Sequence, residues 1–411
     1  MAPSDSGIIR LEEKIIMDNP IQEKRINKKA FIASNIILLG LVSFFTDIST
    51  EMVYPILPLY LSSIMGATPT IIGIIEGIAE SLASVIKLFS GIAADKYGNK
   101  KRLAFLGYSS SLINKIIILF SATWTGVLLA RIIDRFGKGI RTAPRDALIA
   151  EASNRAELGK AYGLHKGLDL LGTAAGIILA YIILSKNNSD YKKIFLYSLI
   201  PAIIGIIFIL FIKDNKEKLA KKAISFNWKS LDRRLKLFLV FIFIFTLGNS
   251  SNAFILLRAY NAGFTAQNAI LLYFLYNIVA SILSYPFGRL SDVFGRKNMM
   301  CIGYFLYGVV YLGIGLFSDK RLFIILFIIY GFYTALTTGI ERALIVEIVP
   351  ETQKASALGL HAAIVGFGLL PASIIAGMLW DLLGQSTPFI FGGILAFITS
   401  IGVFVIFSIK L

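Results

Sequence analysis

Cysteine, charge and histidine are all scarce in this chain of 411 residues. Cys301 is the single cysteine, which excludes an intrachain disulfide and leaves the redox compartment undetermined. Charged residues make up 16% of the chain, against roughly 25% in soluble domains. That shortage excludes an ordinary water-soluble surface. No phosphate-cradling G-x-x-x-x-G-K-[ST] loop, G-x-S-x-G elbow or Cys/His metal cluster occurs, and Ser84-Val85-Ile86-Lys87 matches S-x-x-K only inside an apolar run. The expectation is therefore a non-enzyme with no cofactor and no metal. The first 30 residues are polar and mixed in charge, without the apolar core of a cleavable signal, and read as a disordered cytoplasmic tail.

Hydrophobic residues are correspondingly abundant, at 56%. Runs of about 20 apolar residues, the length that spans a bilayer, follow one another along almost the whole chain. Twelve are read: 31–62, 69–92, 103–121, 124–149, 158–184 and 191–213, then 235–262, 266–289, 298–317, 321–348, 354–380 and 386–410. Backbone groups in hydrocarbon must be satisfied within each segment, and the alternation of a membrane barrel is missing, so the spans are helices.

The chain also repeats itself. Ala147-Leu148-Ile149-Ala150-Glu151 and Gly163-Leu164-His165 return as Ala343-Leu344-Ile345-Val346-Glu347 and Gly359-Leu360-His361, 196 positions later. Gly91, Asp95 and Gly98 return as Gly288, Asp292 and Gly295, displaced by 197. Two copies of one six-helix unit are implied. The predicted fold is an all-α integral membrane protein with twelve transmembrane helices in two pseudo-symmetric six-helix bundles. Its parts are a tail over 1–30, a first bundle over 31–213, a cytoplasmic linker over 214–234 and a second bundle over 235–411.

The net charge of +16 could suggest nucleic acid, but its placement argues against that partner. Cations crowd alternate loops: Lys24, Arg25, Lys28 and Lys29 before the first span, Lys96, Lys100, Lys101 and Arg102 after the second, Arg296 and Lys297 after the eighth, and a lysine-rich link between the halves. Apart from Lys192, Lys193, Lys320 and Arg321, the opposite loops are poor in cations. The positive-inside rule then puts both termini and the link in the cytoplasm of a multi-pass protein of the plasma (inner) membrane, with the lipid bilayer as its surroundings.

Two six-helix copies joined by a basic loop, with G-x-x-x-D-x-x-G-x-[KR]-[KR] after the second span, resemble the major facilitator superfamily. Gly91, Asp95, Gly98, Lys100 and Lys101 match that motif, and Gly288, Asp292, Gly295, Arg296 and Lys297 match it again with the two cations one place nearer the glycine. The resemblance implies a monomeric secondary transporter whose halves rock about a central site. Glycines in the motif allow close helix approach and its charges can contact a neighbouring helix end, so the two loops are read as gates, with Glu151 and Glu347 as further gate residues; a tight turn with solvated charges is the plainer reading.

Ionisable residues inside spans are costly and mark functional sites by default. Asp47 and Glu51, and Glu76 and Glu80, are each four apart and share a helix face. The fourth span carries Arg131, Asp134, Arg135, Lys138, Arg141, Arg145 and Asp146, and the fifth His165, Lys166 and Asp169. The fourth span resembles the arginine motif of proton-coupled antiporters in the same superfamily, with Arg131 at the arginine position, while Asp134 and Arg135 depart from it. Gly163, Gly167, Gly172 and Gly176 partly resemble the antiporter glycine motif, with Thr173 in place of its proline.

Asp47, Glu51, Glu76, Glu80, Arg131, Asp134, Arg135 and Asp169 are therefore the candidates for proton coupling or solute contact, the alternative being an ion-pair network that only joins helices. Asp47 and Glu51 are the first candidates for a carboxylate near Arg131, with Glu76 and Glu80 next. His165 and His361, at equivalent repeat positions, suggest a shared structural role. In the second half Asn249, Asn252, Arg258, Tyr276 and Asn277 are the candidate cavity residues, a wall that suits amphipathic or aromatic solutes. The expected function is alternating-access transport of a small organic solute by proton-coupled efflux. Movement of an anionic metabolite, and a transport-dead sensor or channel, are the alternatives.

Overall fold

The computed structural model describes residues 20–97, 99–153, 158–186, 190–212, 232–350 and 354–408, with side chains undescribed at 20–34, 88, 91–97, 158–160 and 354–356. Most of the expected tail and nearly all of the linker lie outside that range, although α1 begins at Pro20, inside the stretch read as tail. Among the described residues every regular element is a helix. The first half holds α1 (Pro20–Val53), α2 (Leu57–Ser63), α3 (Pro69–Tyr97), α4 (Lys100–Phe120), α5 (Trp124–Glu151), α6 (Leu158–Lys186) and α7 (Tyr191–Leu210). The second holds α8 (Arg233–Gly248), α9 (Asn252–Asn261), α10 (Ala266–Phe294), α11 (Arg296–Leu316), α12 (Lys320–Thr337), α13 (Ile340–Ile348), α14 (Lys354–Leu383) and α15 (Thr387–Ser408).

Three spans are broken, and the breaks have local causes. Pro55 interrupts the first span between α1 and α2: it lacks an N–H and pushes the residue before it out of helical geometry. At the matching place in the second half the break is made without proline, by Asn249, Ser250 and Ser251 between α8 and α9. Ser251 caps α9 by accepting from Ala253 N at 3.3 Å, the local side-chain bonding that lets serine compete with helix continuation. The tenth span divides near Thr338 and Gly339.

Eleven stretches of the described chain are long and apolar enough to cross a membrane. The remaining span, the fourth, Trp124–Glu151, is long enough at 28 residues but too highly charged to meet that standard. It is accommodated by packing between α3 and α4. A Cβ on Gly137 would collide with Ser110, and one on Gly139 would collide with Ile86, so α5 approaches both neighbours at glycines. Large apolar side chains such as Ile200, Ile282, Leu382 and Ile401 are exposed on the outer surface, as a lipid-facing surface requires.

The halves join along α3 against α14 and α6 against α10. At the end remote from the basic loops α3 and α14 nearly touch. A Cβ on Gly73 would strike the Ser373 carbonyl, and one on Gly377 would fall 2.6 Å from Pro69 O. Thr70 N donates to Asp381 Oδ2 across the halves at 2.9 Å.

The basic end is built differently. Lys100 pairs with Glu151, and at the repeat-equivalent place Arg296 pairs with Glu347 at 3.0 Å and with Asp292 at 3.1 Å. Lys101 donates to the Leu210 carbonyl at 2.7 Å and Lys297 to the Phe407 carbonyl at 3.2 Å, so each caps the last helix of its own half. All of these bonds close within one half. The side chains of Gly91 and Asp95, and Gly98 altogether, lie outside the described residues.

Candidate functional site

The breaks at residues 54–56 and 249–251 bring polar backbone and side chains to mid-depth, where a cavity of about 390 Å³ lies between the halves. Its first-half wall carries Glu51, Tyr54, Glu80, Arg135 and Lys138. Its second-half wall is uncharged and includes Asn249, Asn252, Tyr273, Tyr276, Asn277 and Tyr330.

Behind the first wall is a buried ion-pair network. Arg131 is 3% exposed and places Nη2 2.7 Å from each oxygen of Glu76, itself 2% exposed. Arg135 pairs with Glu80 at 2.8 Å and lies 4.0 Å from Asp134. Tyr54, at the break of the first span, offers its ring to both guanidinium groups, with centroid distances of 5.4 Å to Arg131 and 5.8 Å to Arg135. Asp134 is buried among cations, with Lys115, Arg135, Arg131 and Arg141 around it. The partner of Arg131 is thus Glu76 on α3, and neither Asp47 nor Glu51 on α1. Helix α3 packs directly on α5, whereas α1 meets it only slightly.

Asp47 of α1 instead neighbours Asp169 of α6. Lys166 Nζ adds a 2.8 Å bond to Asp169 Oδ2. Glu51, one turn along α1, turns into the cavity and accepts from Tyr273 Oη of the other half at 3.3 Å.

The second wall is an amide and phenol network. Asn252 Nδ2 donates to Tyr276 Oη at 3.0 Å and Tyr330 Oη donates to Asn252 Oδ1 at 2.9 Å. Tyr307 Oη donates to Asn249 Oδ1 at 3.1 Å, and Asn277 Nδ2 to the Tyr273 carbonyl at 2.8 Å. Ring pairs Tyr273–Tyr276 and Tyr276–Tyr330 meet edge to face at 5.2 Å and 5.0 Å.

Arg258 does not join this wall. It is 2% exposed, and it donates to the carbonyls of Ile314 at 3.0 Å and Phe317 at 2.9 Å and to Ser318 Oγ at 3.1 Å, binding the end of α11. A cation near the end of a span satisfies backbone carbonyls as readily as a solute. The two histidines also part company. His165 Nε2 lies 2.9 Å from Ser43 Oγ, whereas His361 Nε2 is 3.1 Å from Glu341 Oε1, and Glu341 also accepts from Tyr304 Oη at 3.2 Å.

Several participants escaped the sequence reading. Lys115 is fully buried and donates to Ser111 Oγ at 2.7 Å, a charge inside the third span that the rule for intramembrane ions flags. The run Asn249-Ser250-Ser251-Asn252 interrupts an apolar span and could have marked the second break. Tyr330 and Tyr333 carried no signal, because tyrosine is ordinary in membrane helices.

Two six-helix halves around a polar cavity now have independent counterparts. The family model for the Major Facilitator Superfamily matches residues 39–264 and again 237–410. The chain belongs to the major facilitator superfamily. An uncharacterized MFS-type transporter of Methanocaldococcus jannaschii is 36% identical over 378 residues, covering 90% of this chain and 94% of that protein. The crystal structure of the nucleoside transporter NupG superposes with a TM-score of 0.75 at 15% identity, covering 91% of this chain and 99% of that one. A bacterial homolog of the human lysosomal transporter Spinster, inward-facing and unoccupied, superposes at 0.69 and 12% identity, covering 92% and 96%. At such identities these structures share the fold. Membership makes the chain a multi-pass secondary transporter of a small-molecule solute, and not an enzyme.

Proposed function

We propose that this superfamily transporter exports a small organic solute in exchange for protons, acting as a monomer in the plasma membrane with its basic end and both termini in the cytoplasm. The observation that carries the coupling is the Asp47–Asp169 contact. Two neighbouring carboxylates repel each other, so a proton taken up there would relieve the repulsion one helical turn from Glu51 in the cavity wall. Movement of α1 against α6 would break the contact and release it. The cross-half hydrogen bonds of Thr70, Ser251 and Tyr273 sit at the remote end or at mid-depth, while the basic loops bond within their own halves, which supports a state loaded from the cytoplasm. Alternation then requires the α3–α14 contact to part.

The test is flux in proteoliposomes under an imposed pH gradient. Asp47→Asn and Asp169→Asn should each lose gradient-driven accumulation and keep solute counterflow. Undiminished accumulation in both variants would sink the coupling assignment, and continuous flux without counterflow would indicate a channel. One observation favours the second reading, transport of an anionic metabolite: Lys138 lines the cavity without an ion-pair partner among the described residues. Against it, Arg131 and Arg135 are paired and Arg258 is turned away.

A further inference from the structure

The four charged side chains that line the cavity balance in sign, two acidic and two basic. They do not balance in pairing. Glu80 and Arg135 satisfy each other at 2.8 Å. Glu51 and Lys138 have no ion pair among the described residues, although Lys138 is near enough to Glu51 and Glu80 to act on both charges. Among the described residues Glu51 has a single hydrogen bond, at 3.3 Å from Tyr273 Oη. Lys138 is exposed to the cavity and has neither an ion pair nor a hydrogen bond among the described residues. The two come from different helices, α1 and α5, and form no ion pair with each other within 4.0 Å.

Each class of solute leaves a different remainder in this space. A neutral solute displaces water from both charges and compensates neither, which is unfavourable for ions in an enclosed site. A monoanion satisfies Lys138 and sets its charge against Glu51, and a monocation does the reverse. A solute with one charge of each sign satisfies both. The rest of the volume is walled by the faces of Tyr273, Tyr276 and Tyr330, which suit an apolar or aromatic body between the charged ends.

We infer, on the basis of the transport reading above, that the solute is a zwitterion whose ammonium group is taken by Glu51 and whose carboxylate is taken by Lys138. A cavity of about 390 Å³ has room for an aromatic amino acid or a dipeptide.

The test is binding to the purified full-length protein, by calorimetry, of four matched sets of compounds: free aromatic amino acids and dipeptides, their N-acetyl forms, their C-terminal amides, and the doubly blocked forms. A free member should bind tightest, with each singly blocked form weaker by about tenfold or more. Lys138→Gln should erase the preference for the free carboxylate and keep that for the free amine, and Glu51→Gln should do the opposite. Misfolding cannot produce that crossed pattern.

Tightest binding of a singly charged or doubly blocked form overturns the inference, as does failure of every free zwitterion to bind at millimolar concentration. Equal weakening of all forms by both substitutions overturns it too. Zwitterion binding without exchange in proteoliposomes would support this inference while removing the export reading; counterflow of neutral solutes by a protein that ignores zwitterions would do the reverse.

Discussion

Ser251 of the second half donates a 3.3 Å hydrogen bond to the Glu76 carboxylate of the first, the same carboxylate that holds Arg131. One glutamate therefore serves two structures: it neutralises a buried arginine inside its own bundle and touches the helix break of the other. This hydrogen bond links the ion-pair network to the opposite half.

Removing that carboxylate should be costly. Glu76→Gln leaves Arg131, which is 3% exposed, without its counter-ion, and breaking a buried pair costs on the order of 3–5 kcal/mol. Thermal unfolding in detergent should show a clear fall in Tm for Glu76→Gln and for Arg131→Met alone. The double variant, which buries no unpaired charge, should recover most of the loss.

The two repeat-equivalent loop pairs should differ in strength despite their shared design. Lys100 is 3% exposed, so Lys100→Ala strands a charge-assisted bond and should destabilise by about 1–3 kcal/mol. The side chains of Arg296 and Glu347 are 31% and 59% exposed, and Arg296→Ala should cost less than about 1 kcal/mol. Chemical unfolding of the two variants side by side measures the difference.

Gly73→Val should favour separation of the halves at the remote end. Its side chain would occupy the position of the Ser373 carbonyl, so α3 and α14 can no longer close there. In a Cys301→Ser background with Asn249→Cys as reporter, an impermeant thiol reagent added from the remote side should label the cavity faster than in the glycine parent. Unchanged labelling would show that α14 yields locally instead.

Arg258→Ala should lower stability by about 1–3 kcal/mol through loss of its bonds to the end of α11. Solute preference in counterflow should be unchanged, because the side chain does not line the cavity.

The architecture was legible because its causes are one-dimensional: apolar run length, the 196-residue echo and the alternation of charged loops are all written along the chain. The candidate site was legible only by residue type. Glu76, Glu80, Arg131 and Arg135 stand out as charges in apolar spans, yet their pairing depends on which helices pack together, and adjacency of α3 to α5 has no linear signature. Equivalent repeat positions did not reveal the partners. His165 and His361 match in sequence, but Ser43 and Glu341, their partners, come from places where the repeats have diverged. Arg258 shows the same limit from the other side, since an arginine near a span end reads alike whether it meets solute or backbone.

Helix α5 has a consequence for how the protein is made. Its buried Arg131, Asp134, Arg135 and Arg141 give it too little hydrophobicity to leave the translocon for lipid alone, since each central arginine costs about 2.5–3.5 kcal/mol in insertion. Glu76 and Glu80, which neutralise two of those arginines, belong to α3, synthesised earlier. Integration of α5 should therefore be helped by an α3 already beside it. The pairs beside the transport cavity thus also bear on how the protein is made, and a variant lacking both glutamates should integrate into the membrane less efficiently, before any question of transport arises.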